Sequence, residues 1–130
     1  MTAVNYPFLS VGCRILRAMA YDTDLADLVR ELVAPERGVD ERRMFGGLAF
    51  LINGNMSVAA SRQGGLLVRV PPAETDALTG DDRVRPMVMA GQPRRGWLFV
   101  EATAAEDAWV REWVTRGVTY ARSLPAKGGR

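Results

Sequence analysis

The sequence predicts an α+β fold, an antiparallel sheet with flanking helices in the order α-β(3-4)-α-β(2)-α. Three observations predict it. Two apolar runs flank Asn53-Gly54, and Asn-Gly suits a two-residue hairpin because a type I′ turn needs positive φ at both central residues. Amphipathic helical patterns open and close the domain, over Asp22–Ala34 and from Thr103 to Leu124. Between them, short apolar runs are punctuated by Gly and Pro, which marks strands joined by turns.

In order along the chain, residues 1–18 differ from the rest. Arg14 and Arg17 follow the apolar stretch instead of preceding it, and Pro7, Ser10 and Gly12 interrupt it, so a secretory signal is not expected. The expected biological start is Met19. The alternative is a short strand or helix, built on Ile15, Leu16 and Met19, that docks on the domain or on a partner subunit. The domain is expected over residues 19–125, with a loose tail at 126–130.

The first helix has Asp22, Thr23 and Asp24 to cap it and to meet the positive end of its dipole. Leu25, Leu28, Val29, Leu32 and Val33 recur at helical spacing, and Pro35 and Gly38 stop it. Val39–Phe45 leads into the central hairpin as a further strand. In that hairpin, Leu48–Ile52 and Asn55–Ala60 are antiparallel neighbours. A two-residue turn sets Ile52 opposite Asn55, Leu51 opposite Met56, Phe50 opposite Ser57 and Ala49 opposite Val58, so Ala49, Leu51, Met56 and Val58 share a face. The first strand is then apolar on both sides. Gly46-Gly47 permits a sharp bend or a close backbone approach before it. Gln63-Gly64-Gly65 turns into a strand over Leu66–Val70. Pro72 opens a short helix through Leu78. Arg83–Ala90 is a strand that Pro86 confines to an edge or to its start. Residues 91–96 read as a loop, Trp97–Glu101 as a strand, and Thr103 with Glu106 as a capping box.

At 130 residues and 48% hydrophobic, this is one domain with a real core. No apolar run approaches the ~20 residues of a membrane helix. The charge is uneven. Residues 20–41 hold seven acids against Arg30 and Arg37, a balance of −5, and residues 42–100 hold eight arginines against four acids, a balance of +4. Cys13 is the one cysteine and there is no histidine. An internal disulfide is therefore impossible, and the commonest general base and metal ligand is missing. Asp27 and Glu31, one helical turn apart, make at best a weak cation site, and no catalytic or metal residue is assigned.

The candidate binding residues are arginines in the strand half. Arg94-Arg95 beside Trp97 suggests a grip on phosphate with a base stacked on the indole. The bland reading is surface arginines and a core tryptophan. Leu48, Phe50 and Ile52 are the candidate dimer contact, set against a reading in which the helices cover them. Trp109 and Trp113 read as core.

RMFGGLAFLINGNM (Arg43–Met56), LLVRV (Leu66–Val70), RGWLFVE (Arg95–Glu101) and YARSLP (Tyr120–Pro125) together resemble the TfoX/Sxy N-terminal domain, in that order and at its spacings. MAYD (Met19–Asp22) is similar to the usual start of such proteins. The resemblance implies a secretion-chaperone-like fold, α-β(3)-α-β(2)-α. The best-known members are regulators of natural competence that act with the cyclic-AMP receptor protein at a subset of its promoters and carry a second, C-terminal helical domain. No catalytic set carries over. The resulting expectation is a non-enzymatic, cytoplasmic, homodimeric interaction module without a cofactor, in which Arg43, Arg94, Arg95 and Trp97 form a rim for an acidic partner, such as a transcription factor. Two alternatives stand beside it: direct nucleic-acid binding through the arginine-rich face, and a small-molecule pocket lined by Asn53, Asn55 and Arg69.

Overall fold

The computed structural model describes residues 21–44 and 46–127. The expectations for residues 1–18 with Cys13, for Met19 as the start, for Phe45 and for residues 128–130 lie outside the described residues.

Helix α1 runs over Thr23–Val33, and its N-cap Asp22 accepts the Leu25 N–H at 3.1 Å. The strands β1 (Val39–Met44), β2 (Gly47–Ile52), β3 (Asn55–Ala60) and β4 (Leu66–Arg69) follow. A 3₁₀ turn at Pro72–Glu74 continues into the short helix α2 (Thr75–Leu78). The last elements are β5 (Val84–Met89), β6 (Gln92–Val100) and the long helix α3 (Asp107–Ser123). The fold is thus α+β, as the sequence predicts. The six strands form one sheet in the order β1-β2-β3-β4-β6-β5, every neighbouring pair antiparallel.

The main core lies between one sheet face and the helices. Leu48, Phe50, Ile52, Val58, Val68 and Leu98 from the sheet meet Leu25, Val29 and Val33 of α1 and Val110, Trp113 and Val114 of α3. A smaller cluster occupies the second face, with Ala49, Leu51, Met56, Ala59 and Leu67 at its centre and Met44, Met87, Trp97 and Phe99 around them.

The central turn forms as predicted, with φ 52° at Asn53 and 84° at Gly54. Ile52 opposes Asn55 and Leu51 opposes Met56, but then the register shifts and Phe50 opposes Val58. Ser57 is the extra residue of a β-bulge. Val58 therefore joins Phe50 on the helix face, and Ala59 takes the expected place of Val58 beside Ala49 and Leu51. The cause is local. The buried Ser57 hydroxyl donates to the Phe50 carbonyl at 2.7 Å, and helix α3 passes so close that a Cβ on Gly117 would collide with the Ser57 carbonyl. The bulge is where the helix settles on the sheet.

Residues 91–96 are not the expected loop. Ala90 and Gly91 have φ 53° and 78°, a second type I′ turn, and β6 begins at once after it. Residues 125–127 are also held more firmly than a loose tail. The Lys127 N–H donates to the Asn53 carbonyl at 2.7 Å, and the Asn55 side chain donates to the Pro125 carbonyl at 2.9 Å.

Candidate interaction surface

Leu48, Phe50 and Ile52 do not form an outward patch. All three are buried within the core that α1 and α3 cover, and Phe50 and Ile52 have no exposed surface. The covering is intramolecular, which corrects the dimer-contact expectation. The reason is alternation: Leu48, Phe50 and Ile52 point to one side of β2, and both long helices lie on that side.

The expected rim is also dispersed. Arg43 sits on β1, whereas Arg94, Arg95 and Trp97 sit on β6, four strands across the sheet, or about 19 Å at the usual strand spacing. Arg95 turns back to α2, donating to the Pro72 carbonyl at 3.1 Å and pairing with Asp76 at 3.4 Å. Trp97 is half-buried, and the Arg69 guanidinium covers its ring at 5.1 Å. Of the four, only Arg43 and Arg94 have no ion-pair or ring partner among the described residues.

The small-molecule set does not converge either. Asn55 is buried and committed to Pro125, and Arg69 is stacked on Trp97 and on Tyr120. Asn53 instead borders an open polar cleft of about 460 Å³ with Glu36, Arg37 and Arg122. Asp27 is paired with Arg30 at 2.7 Å, and no cluster of three or more metal-ligating side chains occurs among the described residues.

The shifted ionisable groups tie elements together. Arg30 of α1 makes two hydrogen bonds to Glu41 of β1, at 2.6 and 2.9 Å. That contact holds the Glu41 carboxyl below the usual carboxylate range and the guanidinium further above its own. Arg83, just before β5, bonds Glu106 at 2.6 Å. With the Thr103 N–H it lowers the Glu106 pKa. The expected capping box does not open the helix: α3 starts at Asp107 with Glu106 as its N-cap, and the Glu106 carboxylate reaches back to the Thr103 N–H while also serving Arg83.

A different set of arginines does come together. On the second sheet face, Arg85 lies beside Phe99, its cross-strand partner, with the guanidinium 4.8 Å from the ring centre. Arg94 opposes Met87, and directly opposed residues share a face. Arg62 and Gln63 rise from the β3–β4 turn. Leu67, Met87 and Phe99 form the apolar floor of a groove of about 300 Å³ whose walls include Arg62, Gln63 and Arg85. Sequence reasoning names Arg62 and Arg85 only among the strand-half arginines. Without the Ala90-Gly91 turn, the register that places Arg94 opposite Met87 cannot be written.

The chain was also compared with known proteins. A family model, TfoX N-terminal domain, matches residues 31–121. The chain belongs to the TfoX N-terminal domain family. No curated protein and no solved structure gives a match. The match begins inside α1 and ends inside α3, so the whole sheet, the groove and the bulge at Ser57 fall within the TfoX domain. No helix among the described residues is long and apolar enough to cross a membrane.

Proposed function

We propose that this TfoX domain is a regulatory protein-interaction module, one that acts by contacting another protein rather than by turning over a substrate. The observation that carries the reading is the family match across the complete sheet. The electrostatics support it. Glu41 and Glu106 have shifted pKa values because they bind Arg30 and Arg83 on neighbouring elements, and neither lines a groove with a nucleophile beside it. Shifted groups gathered in a cleft would point to catalysis instead.

The partner of this reading is a cytoplasmic protein with an acidic contact surface, and a transcription factor such as the cyclic-AMP receptor protein is the expected class. A homodimer through Leu48, Phe50 and Ile52 is no longer part of it, because those side chains fill the interior.

The test is a pull-down from native lysate with the purified chain, with and without nuclease, at low and high salt. The expected result is one or a few proteins retained after nuclease. Recovery of nucleic acid alone, lost steeply as salt rises, would replace this reading with direct nucleic-acid binding.

A further inference from the structure

The two edges of the sheet are built differently. The β1 edge carries four consecutive charged residues, Asp40, Glu41, Arg42 and Arg43, all exposed. Such charges protect an edge from pairing with another chain. The β5 edge reads VRPMVM, with one charge. Val88 in it is 62% exposed and is the exposed large hydrophobic residue among those described.

The ladder indicates what β5 offers. Met89 and Gln92 flank the two-residue turn at Ala90-Gly91 and form the hydrogen-bonded pair that closes a type I′ hairpin. Hydrogen-bonded and non-hydrogen-bonded pairs alternate along an antiparallel ladder. Val88 and Pro93 are thus a non-hydrogen-bonded pair, which suits Pro93, since it has no N–H to give. The Val88 N–H and carbonyl point away from β6, to the open edge.

Beside that edge lies the groove floored by Leu67, Met87 and Phe99. Arg62 and Arg85 line it, Arg94 lies on the same face opposite Met87, and of the three only Arg85 has an ion-pair partner among the described residues, Glu101 at 2.6 Å. An apolar floor, an unpaired strand edge and three guanidinium groups against one carboxylate define a chemistry. A strand-shaped segment alternates its side chains between two faces. The floor and the arginines lie on one sheet face, so the residues at every second position meet both, and that set carries apolar side chains for the floor and acidic ones for the arginines.

We propose that the β5 edge and this groove are the docking surface for an extended segment of a protein partner whose groove-facing residues, at every second position, include both acidic and apolar side chains. The segment adds beside β5, takes hydrogen bonds from and gives them to Val88, and places carboxylates on Arg62, Arg85 and Arg94. Pro86 leaves the edge one donor short, which limits the pairing to a few residues near Val88 and keeps the affinity modest. This proposal rests on the interaction-module reading and names its surface.

The test selects a display library of random ten-residue peptides on the full chain and measures the winners by fluorescence anisotropy. The expected winners carry both acidic and apolar residues among positions of the same parity, two or four apart. Their binding falls on the order of tenfold in Arg62→Glu/Arg94→Glu, as opposed charges become like charges. It falls similarly in Val88→Glu, which leaves the buried core untouched, and circular dichroism should show both variants folded. Amide shifts in the wild-type complex should cluster at Leu67, Val88 and Phe99. Winners without acids, unchanged affinity in both folded variants, shifts elsewhere, or failure to select any peptide would each overturn the proposal. So would displacement from Arg62 and Arg94 by a single-stranded oligonucleotide in place of peptide. Repeating the lysate pull-down with Arg62→Glu/Arg94→Glu separates the two readings. A protein kept equally by wild type and variant leaves the module and removes the groove. No protein on either removes the module itself.

Discussion

Two hairpins in this domain close with the same turn and carry different burdens. Asn53-Gly54 joins β2 to β3, and all twelve residues of those two strands are buried. Ala90-Gly91 joins β5 to β6, and of β5 only Val84 is buried. Both contain a bulge. In the central hairpin it lets α3 approach the sheet at Ser57 and Gly117. In the edge hairpin it falls between Pro86 and Met87, beside the groove. One hairpin holds the fold together and the other presents a surface. The turn chemistry alone does not distinguish them; what lies on the two faces does.

The sharpest way to test that division is to truncate one side chain in each. Phe50→Ala empties a fully buried site and should cost about 3–5 kcal/mol. Val88→Ala, at a site 62% exposed, should stay within about 0.5 kcal/mol. Urea unfolding of both variants measures the contrast. Equal losses would mean that the edge hairpin is structural after all.

Next in size is Gly117→Ala. In an exposed helix this change stabilises by about 1 kcal/mol, because glycine is a poor helix former. Here the new Cβ meets the Ser57 carbonyl, a backbone atom that cannot swing aside. The sign should reverse, to a loss of about 1–3 kcal/mol. A variant as stable as the wild type would show that α3 can lift from the bulge at no cost.

The same comparison shows what was legible beforehand. Asn53-Gly54 announces its turn because both residues tolerate positive φ, and the elements outside the edge hairpin follow from apolar periodicity and Gly/Pro punctuation, except β1, whose four consecutive charges carry no apolar pattern. The shift at Ser57 was not legible. A bulge depends on a helix sixty residues away arriving with a glycine at the contact, and pattern within the strand does not contain that. The second turn was hidden because Ala90 is an unfavourable residue for the left-handed conformation it adopts. Losing the turn made residues 91–96 look like a loop. The candidate rim then drew Arg43, Arg94 and Arg95 together, although the sheet order sets Arg43 apart from the other two. Leu48, Phe50 and Ile52 were recognised as one face; which side the helices take was not written in β2.

Ala90 therefore offers a stabilising prediction. Ala90→Asn converts the edge turn into the same Asn-Gly pair that closes the central one. The left-handed conformation costs an ordinary residue roughly 1–2 kcal/mol, and asparagine relieves much of it. A gain of about 1 kcal/mol is expected, seen as a higher urea midpoint with an unchanged slope. No gain would mean that the strain at Ala90 is relieved elsewhere in the hairpin.

The smallest effect compares how the two edges are fastened. Glu41 of β1 is bound by Arg30 of α1, and Glu106 ahead of α3 is bound by Arg83 ahead of β5. Both carboxyls have folded pKa values below their ordinary one. A lowered carboxylate pKa contributes stability that is fully present above the unfolded pKa and is lost as pH falls through the folded one. Stability should therefore be flat near neutral pH and decline below about pH 5. Glu41→Gln and Glu106→Gln should each be slightly less stable than the wild type at pH 7 and converge on it in acid. These are exposed pairs, so high salt should shrink the difference at pH 7. If Glu106→Gln keeps the full acid slope while Glu41→Gln flattens it, the β1 edge is the one tied down electrostatically. The β5 edge is then held by the Arg83–Trp109 stack, at 4.5 Å, and by its ladder to β6.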